Sequence, residues 1–272
     1  MRIAEALAVG TQELAQRGIE RPEIEARLIL GDVLRCSSVD LIVNDDLVLT
    51  SHLESQWRAL LERRLAKEPF AYLSGRKEFY GIDFHVSRHV LIPRPETEQL
   101  VEGVLKRIKK LGLDGGLIID LGTGSGCIAI TLAKHLPSTF KVLGVDVSEK
   151  ALEVARKNAA RLNVENVSFE RWDLLLEIDQ LPRADIWVSN PPYIPTDMMD
   201  SLPSTIKAYE PHIALEAGCD GLLFYRKIFS SLEQKMICPK LVALETMGAN
   251  QIEKIRELIP ETAVVTVESP HC

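Results

Sequence analysis

No stretch of this chain is apolar for the roughly 20 residues that a membrane helix needs, so nothing in it reads as a span. Its start offers no secretory leader either, because Arg2, Glu5 and Glu13 interrupt the apolar residues between Met1 and Leu14. Cysteine is sparse and odd in number. Cys36, Cys127, Cys219, Cys238 and Cys272 are scattered without a Cys-x-x-Cys pair, which argues against a disulfide framework or zinc finger and for a reducing cytoplasm. Positive charge is also in short supply. Across 272 residues, 32 Lys and Arg face 39 Asp and Glu, a formal net charge of −7, so stable nucleic-acid binding over a broad surface is not expected. A local basic patch is still compatible with that balance. What is present is ordinary for a globular protein: 46% hydrophobic and 26% charged residues, in a chain long enough to bury a sizeable core. Repeats and low-complexity tracts are absent.

The chain divides by pattern into residues 1–75, 76–95 and 96–272. The first segment reads as helices. Pro22 in Arg21-Pro22-Glu23 sits at a helix start, and Ile24, Leu28, Ile29 and Val33 recur behind it at helical spacing. Ser51 and Glu54 have capping-box spacing ahead of a stripe of Leu53, Trp57, Leu60, Leu61 and Leu65. With nine Lys and Arg against twelve Asp and Glu, this segment is net −3 and reads as a small acidic helical domain rather than a basic arm. In the second segment, Phe79, Tyr80, Ile82, Phe84 and Val86 around Gly81 predict a β-hairpin joining two domains. Pro93 and Pro95 then fix an extended run before a helix opening at Glu96.

The third segment alternates strands and helices. Strands are expected at 117–121, 142–146, 167–171, 185–189, 241–245 and Thr262–Glu268. Helices follow at 128–135, at 149–162 with Ser148 as cap, at 222–232 and at 251–258. This alternation predicts an α/β fold, a doubly wound and mainly parallel sheet covered on both faces, behind a small helical domain.

Asp120-Leu121-Gly122-Thr123-Gly124-Ser125-Gly126 falls where the first of these strands becomes a helix. Glycines there let the backbone turn sharply and approach a ligand. A dinucleotide fingerprint wants glycine where Cys127 stands, so a nicotinamide or flavin site loses support. Gly-x-Gly-x-Gly after an acidic residue suits S-adenosylmethionine (SAM) better. Asp146, at the end of the next strand, can accept hydrogen bonds from two ribose hydroxyls, which either cofactor carries. Asp173 can reach an adenine amino group, with Trp172 and Leu174 beside the ring, or it simply caps the following helix.

Asn190-Pro191-Pro192-Tyr193 follows another strand at its carboxyl end. Two prolines stiffen the loop and remove two backbone donors. The neighbouring carbonyls and the Asn190 side-chain oxygen present acceptors, which suit a substrate NH₂, and Tyr193 offers an aromatic face to a planar group. An amide or aryl-amine nitrogen is a poor nucleophile because its lone pair is delocalised. Acceptors on its hydrogens orient it at a methyl sulfonium and stabilise charge as it pyramidalises, with no strong base required first.

These residues resemble the protein-glutamine methyltransferases of the PrmC/HemK family, along nearly the whole chain. Pro69 to Gly75 and Glu78-Phe79-Tyr80-Gly81 look like the family's linker. Leu91-Ile92-Pro93-Arg94-Pro95-Glu96-Thr97-Glu98 looks like its most distinctive signature. Asp120–Gly126, Asn190–Tyr193 and the run through Glu210-Pro211, Ala214-Leu215, Gly218, Asp220-Gly221-Leu222 and Tyr225 look like further family segments. The Asn-Pro-Pro-Tyr loop alone is shared with amino-methylating DNA enzymes.

The resemblance implies a Rossmann-like SAM-dependent enzyme. Its substrate would be the side-chain amide of the glutamine in the Gly-Gly-Gln motif of class I peptide chain release factors. Gly122, Thr123, Gly124, Ser125, Gly126, Asp146, Asp173, Leu174 and Asn190 would face the cofactor. Asn190, Pro191, Pro192 and Tyr193 would face the glutamine. Arg94 and Glu96 would lie near the mouth of the site, or serve as a linker ion pair and a helix-start carboxylate. Two departures stand out. Some members carry an aromatic residue where Leu174 stands, and the family's final antiparallel strand has no counterpart after Thr262–Glu268, so either the sheet is one strand short or the sequence is truncated. The rival readings are an amino-methyltransferase for adenine or cytosine in nucleic acid, a glutamine methyltransferase of a ribosomal protein, and a non-catalytic nucleotide-binding module.

Other features read as bland. His85 and His89 lack the Cys or acidic set that would complete a tetrahedral metal site. Arg63-Arg64 and Lys106-Arg107 with Lys109-Lys110 read as solvated helix faces. Cys127 reads as a small buried residue without an adjacent base.

Overall fold

The computed structural model describes residues 1–235 and 239–259. The expected strand Thr262–Glu268 lies outside them, as do Cys238 and Cys272. Two compact units emerge: Met1–Gly75 with Pro203–Tyr209, and Arg76–Leu202 with the described residues from Glu210 onward. Among the described residues, no helix is long and apolar enough to cross a membrane.

In the first unit, helices α1 (Ile3–Gln16), α2 (Pro22–Leu34), α3 (Ser38–Val43), α4 (Ser51–Leu65) and α5 (Phe70–Ser74) enclose a core of Leu14, Ile29, Leu30, Leu41, Trp57 and Leu61. Pro22 opens α2 as expected, after Arg21 in a left-handed conformation at φ 50°. The buried face of α2 differs from the expected stripe. Ala26, Ile29 and Leu30 are buried, whereas Ile24 and Leu28 are 46% and 41% exposed. Apolar residues lie on more than one side of this helix, and its neighbours, chiefly α1 and α4, leave Ile24 and Leu28 uncovered. The cap of α4 is also displaced by one residue. Thr50 Oγ1 accepts from the Leu53 N–H at 3.3 Å, and Glu54, instead of closing a box on Ser51, takes the amino terminus of Met1 at 3.0 Å. Arg63 and Arg64 are not simply solvated. Arg63 forks onto both oxygens of the buried Glu68 at 2.9 Å, and Arg64 binds Glu25 at 2.9 Å.

The second unit begins with the hairpin β1 (Arg76–Phe79) and β2 (Ile82–His85). Tyr80 and Gly81, at φ 53° and 72°, form the two-residue turn that right-twisted strands favour. Phe79 and Phe84 meet edge to face, 6.1 Å between centroids, and are fully buried. Helix α6 (Pro95–Lys110) begins one residue before Glu96. Then come β3 (Gly116–Leu121), α7 (Cys127–His135), β4 (Phe140–Asp146), α8 (Glu149–Arg161), β5 (Val167–Arg171), α9 (Leu174–Glu177) and β6 (Ile186–Ser189). Helix α10 (Ser204–Tyr209) belongs to the first unit, and α11 (Leu223–Lys235), β7 (Leu241–Leu244) and α12 (Ala249–Arg256) follow in the second.

The sheet order is β5-β4-β3-β6-β7, and every described neighbour pair is parallel. Parallel strands need helical crossovers, and those helices cover both faces. One apolar layer gathers Ile118, Ile128, Leu132, Val142 and Val188; the other gathers Ile119, Leu121, Val145, Trp187 and Ile228. The chain leaves β3 toward β4 on one side and later fills β6 and β7 on the other. Strand order therefore reverses between β3 and β6, and ligands of doubly wound sheets settle at the carboxyl ends of such a pair.

Candidate active site

The glycine loop leaves β3 at that reversal. Gly122, Gly124 and Gly126 have φ of 75°, 54° and 78°, a region that costs other residues about 1–2 kcal/mol. The loop is tied down from below. Gly122 and Thr123 N–H donate to the Val145 carbonyl at 2.8 and 2.9 Å, and Thr123 Oγ1 donates to Asp120 Oδ2 at 2.6 Å. Asp120 Oδ2 also accepts from the Ala129 N–H at 3.2 Å. Asn158 holds the far side. This fully buried amide accepts from the His85 N–H at 2.7 Å and donates to the carbonyls of His85 and Ser125, each at 2.9 Å, so it joins the hairpin to the glycine loop. Asn158 escaped the sequence reading because nothing marks a helical asparagine as a tether for two distant segments.

Asp146 ends β4 beside the loop. Its Oδ2 accepts from the Gly124 N–H and its Oδ1 from the Ser148 N–H, both at 2.9 Å. Burial pushes this carboxyl up, while those N–H groups and that of Val147 oppose the rise. Asp173 lies farther along the same edge, beyond β5. Its Oδ1 caps α9 by accepting from the Leu175 N–H at 2.9 Å, so the capping alternative is realised for that oxygen. Leu174 is buried in the layer with Leu121 and Val145, and the half-buried Trp172 donates its indole N–H to Glu170 at 3.1 Å.

The second loop leaves β6, the other side of the reversal. Ser189 Oγ donates to the Leu121 carbonyl at 2.5 Å and so ties the two strand ends together. Asn190 is half-buried, and its Nδ2 donates to Thr97 Oγ1, on the first turn of α6, at 3.1 Å. Pro191 is buried. Tyr193 packs against Leu222, Tyr225, Phe229 and Ile255, and burial pushes its phenol up. Its carbonyl accepts from Gln251 Nε2 at 3.1 Å. Gln251, almost fully buried on α12, also donates to the Gly221 carbonyl at 3.1 Å and accepts from the Met247 N–H at 2.9 Å. One side chain thus fixes three loops. Glu245, just past β7, was equally missed. Burial pushes its carboxyl up, and hydrogen bonding from Thr97 and Asn190 opposes the rise. Its place at the carboxyl end of a strand was the available signal.

Arg94 and Glu96 separate. Arg94 binds the buried Glu210 at 2.5 Å, and the same carboxylate accepts from the Ile92 N–H at 3.1 Å, so Arg94 forms an ion pair that anchors its own segment. Glu96 lies exposed in the first turn of α6. Burial pushes the Cys127 thiol up to about 12, which suits a packed residue rather than a nucleophile.

The PrmC N-terminal domain family matches residues 5–75, and a methyltransferase domain family matches residues 113–258. The release factor glutamine methyltransferase of Thermodesulfovibrio yellowstonii is 42% identical over 234 residues, covering 86% of this chain and 82% of that protein. The protein of the same name from Clostridium acetobutylicum is 35% identical over 271 residues, 99% of this chain and 94% of its own length. This chain belongs to the release factor glutamine methyltransferase family. The hMettl16 catalytic domain, solved in complex with the MAT2A 3'UTR hairpin 1, shares the fold at 18% identity, with a TM-score of 0.53 over 73% of this chain and 71% of that one.

Members of this family are SAM-dependent methyltransferases, and the residues present fit that cofactor. A Cβ added at Gly122 or Gly124 would meet no atom within 4 Å, so both glycines face open space beside the Asp146 carboxylate. Each Asp146 oxygen takes one backbone N–H and keeps lone pairs for a vicinal diol.

Beneath this cradle, Asp120 is fully buried, its Oδ1 has no hydrogen-bond partner among the described residues, and burial pushes its carboxyl up to about 7 from an ordinary 3.8. Since the folded value lies above the unfolded one, the protonated acid stabilises the fold fully below about pH 4, and that contribution is lost as pH rises to 7. Ionisation therefore costs about 4 kcal/mol at pH 8, and an asparagine would instead bury an unpaired NH₂ at about 1–3 kcal/mol. Asp120→Asn is expected to be more stable than the parent by about 2 kcal/mol at pH 8 and less stable than it by about 1–2 kcal/mol at pH 4, where the parent carboxyl is protonated in both states. Denaturant titrations of both proteins at the two pH values check this.

Proposed function

We propose that this protein methylates the side-chain amide nitrogen of the glutamine in the Gly-Gly-Gln motif of class I release factors. Names of the curated relatives support the substrate, and one geometric observation carries the chemistry. Asn190 spends its NH₂ on Thr97, so its side-chain oxygen is left as an acceptor at the carboxyl end of β6, next to the cofactor cradle.

In this reading Gly122, Thr123, Gly124, Ser125 and Gly126 form the cofactor loop, and Asp146 takes the ribose hydroxyls. Asp173 and Leu174 border the adenine, and Asn190 lies between cofactor and substrate. SAM, when bound, supplies an electrophilic methyl carbon on sulfur. Asn190 Oδ1 and the Pro191 carbonyl accept from the two hydrogens of the glutamine amide. They aim its nitrogen and stabilise the positive charge that gathers there. Pro192 stiffens the loop, and Tyr193 packs beside the planar carboxamide. The surplus proton becomes acidic as the bond forms and passes to water. The helical unit, residues 1–75, serves to recognise the release factor.

The test is to incubate the protein with methyl-labelled SAM and a class I release factor, with and without Gln→Ala in its Gly-Gly-Gln motif. Label is expected on the parent factor and at background on the Ala variant. Equal label on both would overturn the assignment.

A further inference from the structure

Two prolines make the Asn190–Tyr193 loop a stiff strut. Pro191 and Pro192 fix their own φ and steer the residues before them, Asn190 and Pro191, to extended backbone, so few soft torsions separate the two ends. The placing of a stiff piece is decided at its ends. One end leaves β6 at Ser189, where Ser189 Oγ holds the Leu121 carbonyl and Asn190 Nδ2 holds Thr97. The other end is the peptide group that joins Tyr193 to Ile194, and it is gripped on both edges. The Ile194 N–H donates to the Leu215 carbonyl at 2.9 Å, and the Tyr193 carbonyl accepts from Gln251 Nε2 at 3.1 Å.

Gln251 is suited to that grip. It is 6% exposed, and a buried amide has to spend its hydrogens on protein acceptors. Its Oε1 accepts from the Met247 N–H at 2.9 Å, a donor that cannot reverse its role. The NH₂ end is therefore the one turned to the carbonyls of Tyr193 and Gly221, each at 3.1 Å. Ile255, one turn farther along α12, lies in the cluster on which the Tyr193 side chain packs. One face of α12 thus meets the backbone of Tyr193 and the bed of its side chain. Gly221 closes in from another side. At φ 74° an added Cβ would fall on the Tyr193 carbonyl oxygen and stand 3.1 Å from Gln251 Nε2 and from Pro195 Cδ.

We infer, on the reading of this loop given above, that Gln251 is a positioning residue for methyl transfer. It sets the tilt of the Tyr193–Ile194 peptide and, through the proline strut, the aim of the Pro191 carbonyl and the Tyr193 ring at the substrate amide. Both its hydrogens are spent on protein carbonyls, so it offers nothing to cofactor or glutamine. Its loss slows the chemical step and leaves both binding steps nearly intact, because SAM rests on the glycine loop and Asp146, and a protein substrate has far more to hold than one carboxamide. Helix α12 thereby takes part in a site whose loop lies 58 residues earlier.

The experiment compares Gln251→Leu, Gln251→Glu and Gly221→Ala with the wild type. It reads kcat and KM on the release factor with methyl-labelled SAM, Kd for SAM by calorimetry, and the melting temperature. Phe140→Leu is the stability control, since Phe140 is fully buried at the amino end of β4, the opposite edge of the sheet from the site. Gln251→Leu keeps bulk and has no hydrogen to give, and Gln251→Glu keeps the shape with at most one. Both are expected to lose about 10- to 30-fold in kcat, the scale of a small misplacement of reacting groups, with KM within about threefold and SAM Kd within about twofold of the wild type. Gly221→Ala, which displaces the same carbonyl and keeps the Gln251 side chain, should show the same split. Phe140→Leu, assayed well below its melting temperature, should keep kcat within about twofold although it melts earlier. Gln251 variants that hold kcat within about threefold of the wild type would overturn the inference. So would a loss of kcat that Phe140→Leu reproduces, or one matched by an equal loss of SAM affinity.

Should the wild type methylate no release factor, the functional reading fails by itself. The grip is then judged in the free protein from the backbone nitrogen resonance of Ile194, which shares its peptide group with the Tyr193 carbonyl. A shift beyond the linewidth in Gln251→Leu and Gln251→Glu, absent in Phe140→Leu, supports the holding role, and an unmoved resonance overturns it. Should Gln251→Leu not fold, Gln251→Glu and Gly221→Ala decide.

Discussion

Asn190→Ala is expected to lower kcat for methyl transfer by about 10²- to 10³-fold, the range seen when one preorganised polar group that stabilises transition-state charge is removed. The size follows from what the side chain is asked to do. The target nitrogen gains positive charge only as the reaction proceeds, so an acceptor already fixed in place helps the transition state more than the ground state. Truncation leaves the Pro191 carbonyl as acceptor and frees the substrate amide to rotate. The fold should lose little, about 1 kcal/mol, because the residue is half-buried and gives up one side-chain hydrogen bond, to Thr97. SAM affinity should fall far less than kcat. Single-turnover transfer at saturating release factor, with calorimetric titration of SAM, separates the two. A variant that keeps kcat within threefold of the wild type would remove Asn190 from the chemistry.

Contiguous runs were legible in the sequence, and pairings across the chain were not. The glycine loop, Asp146 and Asn190–Tyr193 could be read because each occupies a few adjacent residues whose backbone demands are local: positive φ, a strand end, two prolines. The same locality explains the accuracy of β5 at Val167–Arg171 and of the Ser148 cap, whose Oγ accepts from the Ala151 N–H at 3.3 Å. Residues that make the site rigid draw their meaning from distant partners. Thr97 meets Asn190 from 93 positions away, Asn158 meets His85 from 73, and Glu210 meets Ile92 from 118. No periodicity encodes those meetings, since they exist only once distant elements lie side by side. Ile24 and Leu28 mark a different boundary. Apolar residues on several sides of one helix reveal a helix without saying which side its neighbours will cover.

Gly124 and Gly126 lie two residues apart and are expected to fail in opposite ways when changed to alanine. At Gly124 the new Cβ would meet no protein atom within 4 Å, so the fold bears only the left-handed φ of 54°, about 1–2 kcal/mol. That space is the cofactor's in the reading proposed here. Crowding it should weaken SAM binding by about 30- to 100-fold, the equivalent of 2–3 kcal/mol of lost approach. At Gly126 the Cβ would sit 3.0 Å from Ala155 Cβ and Ile130 Cδ1 and 3.2 Å from Phe169 Cζ, in a packed layer that cannot give on three sides at once. Overpacking adds about 1–3 kcal/mol to the φ penalty, and the melting temperature should drop by about 10 °C. SAM titration and thermal unfolding on both variants give four numbers, and the contrast between them is the prediction. A Gly124→Ala protein that binds SAM as the wild type does would mean that the cofactor does not pass over this turn. A Gly126→Ala protein with unchanged melting would mean that the loop rests on α8 and β5 less closely than 3 Å contacts require.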